Sequence, residues 1–228
     1  MKLKLIVILG ILFLVSQVNA QENLVLKNQK DKISYIIGID IGTNLKKQSI
    51  DIDSNILAKG VKDALAGTKP LLTEQEIQET MVAFQKEIMA KQAEVAKKNK
   101  SEGEAFLTEN KKKEGVKTLP SGLQYKVIKA GTGKKPKSTD TVTTHYRGTL
   151  INGTEFDSSY KRGQPVSFPV SGVIPGWTEA LQLMEVGAKW QLFIPPNLAY
   201  GEQGAGRDIG PNATLIFEIE LVSIQEKK

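Results

Sequence analysis

Hydrophobic residues along this chain follow a helical period in the first half and a strand period in the second. From Asp31 to Lys47, Ile33, Ile36, Ile37, Ile41 and Leu45 recur at intervals of three and four, which predicts one apolar helical face. Gly38 and Gly42 lie one turn apart in that segment and leave room for another backbone to approach. A second helix is predicted with Ser54 as N-cap, running through Ile56, Leu57, Val61 and Leu65 to a C-cap at Gly67, with Pro70 enforcing the break. The third opens on a capping box, Thr73 with Glu76, and meets no proline before Pro120, so it is predicted to reach about Glu114 and end at Gly115. At 1.5 Å per residue its length is on the order of 60 Å, more than a small domain is wide. Its first turns carry Ile77, Met81, Phe84, Ile88 and Met89 on one stripe. Gly103 costs it about 1 kcal/mol relative to alanine and marks a candidate bend. Lys111, Lys112 and Lys113 fall in the expected last turn, where positive charge complements the helix dipole.

Two short helices cannot cover so long a stripe. The pattern therefore predicts a homodimer made by the N-terminal segment, the alternative being a solvated stalk held by charge pairs. After Leu119-Pro120-Ser121-Gly122 the period falls to two, first at Leu123, Tyr125 and Val127 and then at Thr141, Thr143 and His145. Asn152-Gly153 is a hairpin turn signal. A short helix is predicted from Thr178 to Leu183, and the closing run alternates Leu215, Phe217, Ile219 and Leu221 with Ile216, Glu218 and Glu220. The expected fold class is α+β: a twisted antiparallel half-barrel sheet wrapped on one short helix, preceded by an all-α dimerisation domain with one very long helix. The segments are then residues 1–20 (leader), 21–72 (helical dimerisation segment), 73–115 (connecting helix) and 116–228 (sheet domain).

Residues 1–20 are set apart by Lys2 and Lys4 ahead of an apolar run from Leu5 to Val15 and by small residues up to Ala20, the pattern of a secretory signal. The run is shorter than the ~20 residues of a membrane-spanning helix. The mature protein is expected to be soluble, exported to the periplasm or beyond, after cleavage near Ala20. The chain has no cysteine, which excludes disulfides, thiolate metal sites and a lipidated cysteine. Its net charge of +6 includes the two leader lysines, leaving 29 minus 25, or +4, spread without a basic stripe. Nucleic acid is not an expected partner. The glycine-rich stretches 131–134 and 201–211 lack the residues or the following helix of a phosphate loop, so nucleotide binding is not expected either.

Five stretches of the second half supply aromatic residues, and the one carboxylate of Asp157, at the places where a small twisted sheet would fold around an apolar cleft: VTTHYRG (142–148), TEFDSS (154–159), VIPGW (173–177), LAYG (198–201) and NATLIFEIEL (212–221). Such a set suits a site that recognises an apolar group and works without a nucleophile. In this order and spacing the stretches resemble the FKBP-type peptidyl-prolyl isomerases, over roughly residues 117–225. The resemblance implies catalysis of rotation about X-Pro bonds, a step with a barrier of ~18–20 kcal/mol that makes and breaks no bond. No cofactor or metal is then expected. It further implies that Trp177 is the floor under the proline ring, and that Tyr146, Phe156, Val173, Ile174 and Phe217 are walls. The Tyr200 hydroxyl and the Ile174 backbone N–H would hold substrate carbonyls, and Asp157 would sit beside the reacting amide. Phe168 and Trp190 fit positions outside the cleft, and His145 is expected to face away from Tyr146; the plain alternative for Asp157 is a turn with Ser158 and Ser159 or a surface pair with Arg162. Where small family members carry a pocket-rim aromatic and a flap histidine, this chain has Val166 and Ala205.

In the first half, SYIIGIDIG (34–42), DSNILAKGVKDALAG (53–67) and EGEAFLTENKKKEGV (102–116) resemble the dimerising segment of secreted bacterial FKBPs of the macrophage infectivity potentiator type. That likeness implies a V-shaped homodimer in the bacterial envelope, unfolded or partly folded proline-containing proteins as partners, and FK506-like macrolides as inhibitors. A rival expectation is a holdase chaperone whose isomerase activity is incidental.

Overall fold

The computed structural model describes residues 25–48 and 50–225, so the expected leader lies outside the described residues. Two compact units divide the chain between Asp51 and Ile52. In the first, helix α1 (Gln29–Lys47) starts where the Asn28 side chain accepts the Asp31 N–H at 3.0 Å, while Asp31 accepts the Lys27 N–H at 2.9 Å. No residue of α1 is buried, and among the described residues nothing beyond the adjoining residues and the helix's own backbone comes within 4 Å of where a Cβ on Gly38 or Gly42 would sit.

The second unit opens with α2 (Ser54–Ala66). Its N-cap is Asp53, one residue before the predicted Ser54: the Asp53 carboxylate accepts the N–H groups of Asn55 and Ile56, and a negative acceptor suits the positive end of a helix. Helix α3 (Glu74–Asn110) runs unbroken for 37 residues from a complete Thr73–Glu76 capping box. It stops short of the predicted Glu114 because its last turn is claimed from outside. The Gln124 side chain donates to the Leu107 carbonyl at 2.9 Å, which also takes the Lys111 N–H, and accepts from the side chain of buried Asn110 at 3.0 Å, tying the helix end to the sheet. The lysine run therefore lies just past the helix, with Lys112 paired to Glu109 and Lys113 over the Phe106 ring. Gly103 marks no break in α3 but a close approach: a Cβ there would collide with Thr214 Oγ1.

Seven strands follow: β1 (Val116–Thr118), β2 (Gln124–Lys129), β3 (Thr141–Leu150), β4 (Glu155–Ser158), β5 (Val166–Pro169), β6 (Lys189–Ile194) and β7 (Leu215–Ile224). They form one antiparallel sheet in the order β1-β2-β6-β7-β3-β4, with β5 paired to β3. Its spine is the β3–β7 ladder from Val142 opposite Ile224 to Leu150 opposite Leu215. Alternation decides the faces. Val142, Thr144, Tyr146 and Gly148 of β3 and Leu215, Phe217, Ile219 and Leu221 of β7 are buried, while the residues between them are not. The Asn152-Gly153 turn joins β3 to β4, with Gly153 in the left-handed region (φ 86°) and its N–H on the Leu150 carbonyl. Helix α4 (Pro175–Leu183) begins three residues before the predicted Thr178, because Pro175 supplies the preset φ of a first helical position, and it buries Trp177, Ala180 and Leu181 against the sheet.

Candidate active site

One cleft of about 670 Å³ opens over α4, within the size range of small-ligand sites. Trp177, in the first turn of α4, is its centre and is 4% exposed. Three rings meet Trp177 edge to face: Tyr146 at 5.2 Å and 82°, Phe217 at 5.1 Å and 84°, and Phe168 at 5.8 Å and 84°. Phe156 stands against Phe217 at 5.4 Å and 82°. Perpendicular packing of this kind is the favoured aromatic geometry, and here it makes a flat floor with upright walls. Space for two of those walls comes from Gly148, where a Cβ would lie 2.6 Å from the Phe156 ring and 2.7 Å from that of Phe217.

The loop before α4 is held by Thr178, whose hydroxyl donates to the Val170 carbonyl at 2.7 Å. Val173 and Ile174 thereby face the cleft. The Ile174 carbonyl takes the N–H of Trp177, whereas among the described residues no acceptor takes the N–H of Ile174 itself. The Tyr200 hydroxyl likewise bonds to no described group. Its pKa is raised by burial and by the nearby Asp157 charge, which keeps it a neutral donor.

Asp157 is bound at both oxygens. Oδ2 accepts from the Tyr146 hydroxyl at 2.5 Å, Oδ1 pairs with Arg162, and Arg162 Nη2 donates to the Tyr146 hydroxyl at 2.6 Å, closing a triangle. Burial opposes ionisation of Asp157, but the hydrogen bonds from Tyr146 and Arg162 and the Arg162 charge outweigh it and hold the pKa below the ordinary aspartate value. Burial first, then the bond to Asp157, push the Tyr146 phenol up to about 12. The result is a fixed anion beside a neutral phenol throughout the physiological range. Ser159 of the FDSS stretch and the turn that follows build this arrangement. The hydroxyl of buried Ser159 accepts the Tyr146 N–H at 2.8 Å, and the 158–163 turn, closed by the Gly163 N–H on the Tyr160 carbonyl, brings Arg162 back over the Tyr146 ring.

All eight residues singled out from the sequence line this one cleft: Tyr146, Phe156, Asp157, Val173, Ile174, Trp177, Tyr200 and Phe217. Phe168, expected outside it, is also a wall. The available signal was its position two residues from Val166 on a strand, which places both on one face; Val166 packs on the core and Phe168 reaches the cleft. Arg162 is a structural member of the site as well as a partner of Asp157. Ala205 lines the cleft from the 201–213 loop, together with Gly206, Arg207, Asp208 and Ile209. His145 points away, stacked on Tyr160 at 4.8 Å, and Trp190 stacks on Tyr125 at 4.3 Å.

Comparison with known proteins reaches the same region independently. Residues 30–127 match the family described as "Domain amino terminal to FKBP-type peptidyl-prolyl isomerase", and residues 132–222 match "FKBP-type peptidyl-prolyl cis-trans isomerase". The chain is 53% identical over 205 residues to the outer membrane protein MIP of Legionella longbeachae, covering 88% of each. It is 48% identical to the peptidyl-prolyl cis-trans isomerase Mip of Coxiella burnetii, covering 89% of this chain and 90% of that one. Among solved structures, the crystal structure of FkpA from Escherichia coli is similar with a TM-score of 0.63 at 42% identity, covering 88% of this chain and 99% of the other.

Proposed function

Because this chain belongs to the FKBP-type peptidyl-prolyl cis-trans isomerases, we propose that its catalysis of X-Pro rotation takes place over Trp177, in the cleft walled by Tyr146, Phe156, Phe168 and Phe217. The carrying observation is the edge-to-face enclosure of the Trp177 ring beside a carboxylate pinned at both oxygens.

The physics is that of differential binding. Twisting the amide uncouples the nitrogen lone pair from the carbonyl, so the oxygen loses negative charge and its demand for hydrogen bonds from water falls. A dry, apolar cleft therefore disfavours the twisted amide less than the planar one. Asp157 adds to the preference, because a fixed negative charge beside the carbonyl repels the planar amide's larger dipole more strongly. No proton moves. The Ile174 N–H and the Tyr200 hydroxyl, both without a described partner, hold neighbouring substrate carbonyls so that twisting, not tumbling, is the motion left to the prolyl residue. Kinetics of a short X-Pro peptide test the assignment. Variants at Trp177 or Asp157 that keep the fold and the wild-type rate would overturn it.

The substrates are unfolded or partly folded exported proteins, and FK506-like macrolides compete for the same floor, with Ala205 changing the flap they meet. Two features support export: the leader pattern in residues 1–20, and the name of the Legionella relative as an outer membrane protein. N-terminal sequencing of the mature protein is expected to begin just after Ala20. Homodimerisation through α1–α3 is supported by apolar residues that one chain leaves uncovered, among them Ile33, Ile37, Ile56, Val61, Met81 and Phe84. The mass in solution is expected to be that of a dimer with residues 21–115 present and of a monomer without them.

The same exposed residues favour a second activity, holding of apolar client segments. Protection of a proline-free client from aggregation by a cleft variant that has lost isomerisation would establish holding as independent.

A further inference from the structure

We propose that the carboxy-terminal half of α3 is a working part of the isomerase site, with Asn99 as the residue that positions the flap over the cleft. The inference rests on the assignment of the cleft as the site of isomerisation.

The flap is the loop from Gly201 to Ala213, and its tip, residues 205–209, lines the cleft. Its backbone hydrogen bonds are internal. The Ala205 N–H reaches the Ile209 carbonyl at 2.9 Å, the Ile209 N–H returns to Ala205 at 3.3 Å, and the Asn212 N–H closes the base on Gly201 at 2.8 Å. A loop whose backbone bonds close on one another opens easily unless its limbs are held. Its direction must be set by what touches its limbs.

Helix α3 does so along one stripe. Asn99, partly buried, donates from Nδ2 to the Pro211 carbonyl at 2.8 Å, 112 residues away in sequence. The backbone of the adjacent Gly210 comes close enough that a Cβ there would lie 3.1 Å from Asn99 Nδ2 and 3.4 Å from Val95 Cγ1. One turn on, Gly103 admits Thr214, where the flap passes into β7. Further along, Phe106 packs on Phe193 at 6.0 Å and Asn110 bonds to Gln124, so this end of the helix is itself anchored to the sheet. The second limb of the flap thus lies on a fixed rail. Pro211 has a fixed φ and no N–H of its own, so the bond to its carbonyl orients that limb directly.

A flap held in place loses less freedom when substrate enters, which favours binding without altering the twisting step over Trp177. Asn99 is accordingly a positioning residue whose effect belongs in KM and not in kcat.

The test uses the full chain with Asn99→Leu, which removes the donor, and Asn99→Asp, which keeps the shape but turns an acceptor toward the Pro211 carbonyl. Isomerisation of a short X-Pro peptide is measured with KM and kcat resolved, alongside amide hydrogen exchange and the thermal midpoint. Both variants are expected to raise KM about three- to tenfold, the range of one neutral hydrogen bond, with kcat within about twofold. Exchange at the Ala205 and Ile209 amides should accelerate by a similar factor while that of Tyr146, bonded to Ser159 in the sheet, stays unchanged. Unchanged flap exchange would overturn the proposal, and so would faster flap exchange with an unchanged KM. Uniformly faster exchange with a lowered thermal midpoint would reduce Asn99 to a stabilising contact and also overturn it. A wild-type chain that fails to isomerise the peptide would instead sink the assignment of the cleft, with the exchange data still reporting on Asn99.

Discussion

Ile219 in β7 and Ile37 in α1 are the same residue in regular elements of one chain, yet Ile219 is fully buried and Ile37 is 54% exposed. Ile219 stands between Tyr146 of β3 and Trp190 of β6, so the sheet covers its own apolar face. Ile37 shares its helix with Ile33 and Ile41, also exposed, and α1 and α2 contain no buried residue at all. The contrast teaches that one copy of the chain encloses the cleft and leaves the apolar faces of the helical region uncovered. An apolar stripe of that length remains a cost in water until a second surface removes it.

The largest effect that can break this contrast is on assembly. Ile33→Glu with Ile37→Glu places four charges in the expected dimer contact and is expected to raise the dissociation constant by roughly a thousandfold or more, given ~1.5–3 kcal/mol per buried isoleucine. Sedimentation should then report a monomer, with peptide isomerisation within about twofold of wild type. An unchanged mass would mean that the stripe has another purpose.

Next in size is the floor of the cleft. Trp177→Leu forfeits three edge-to-face contacts at ~0.5–1.5 kcal/mol each, and kcat/KM for a short X-Pro peptide is expected to fall roughly thirtyfold, while the dimer is unaffected. Asp157→Asn keeps the shape, removes the charge and leaves Arg162 without its ion pair. A loss of about tenfold in kcat/KM is expected, in line with a charged hydrogen bond.

The smallest expected effect is that of pH. Asp157 is depressed below its ordinary value of 3.8, so what its charge contributes is complete above that value and is lost as pH falls through the lower, folded-state pKa. Tyr146, raised to about 12, stays neutral until strongly alkaline pH. The rate should therefore be flat within about twofold between roughly pH 5 and 9. A step of more than about twofold inside that window would overturn the reading of Asp157 as a fixed anion.

Local chemistry was legible from the residues alone. The Thr73–Glu76 box starts α3, Gly67 caps α2 with φ 65°, Asn152-Gly153 turns β3 into β4, and the alternation of β7 names its buried face. The aromatic set was legible too, because family spacing ties each ring to a numbered position. Misplacements arose where a distant group decides. Asp53 displaces Ser54 as cap by offering a charged acceptor one residue earlier, Gln124 ends α3 before Glu114, and the pairing of β5 with β3 swings Phe168 into the cleft.

Periodicity and capping act over three or four residues, so the sequence by itself determined which segments are helix or strand and which face of each is apolar. Which faces meet was left to the tertiary structure. Gly103 reads as a weak point in a helix until Thr214 is found against it, Arg162 as a surface charge until the 158–163 turn folds it onto Tyr146 and Asp157, and the bond from Asn99 to the Pro211 carbonyl leaves no mark in the sequence at all. Such contacts join residues up to 112 positions apart. Their energies depend on distances of a few ångströms that no local pattern encodes, and they exist only once the core has closed.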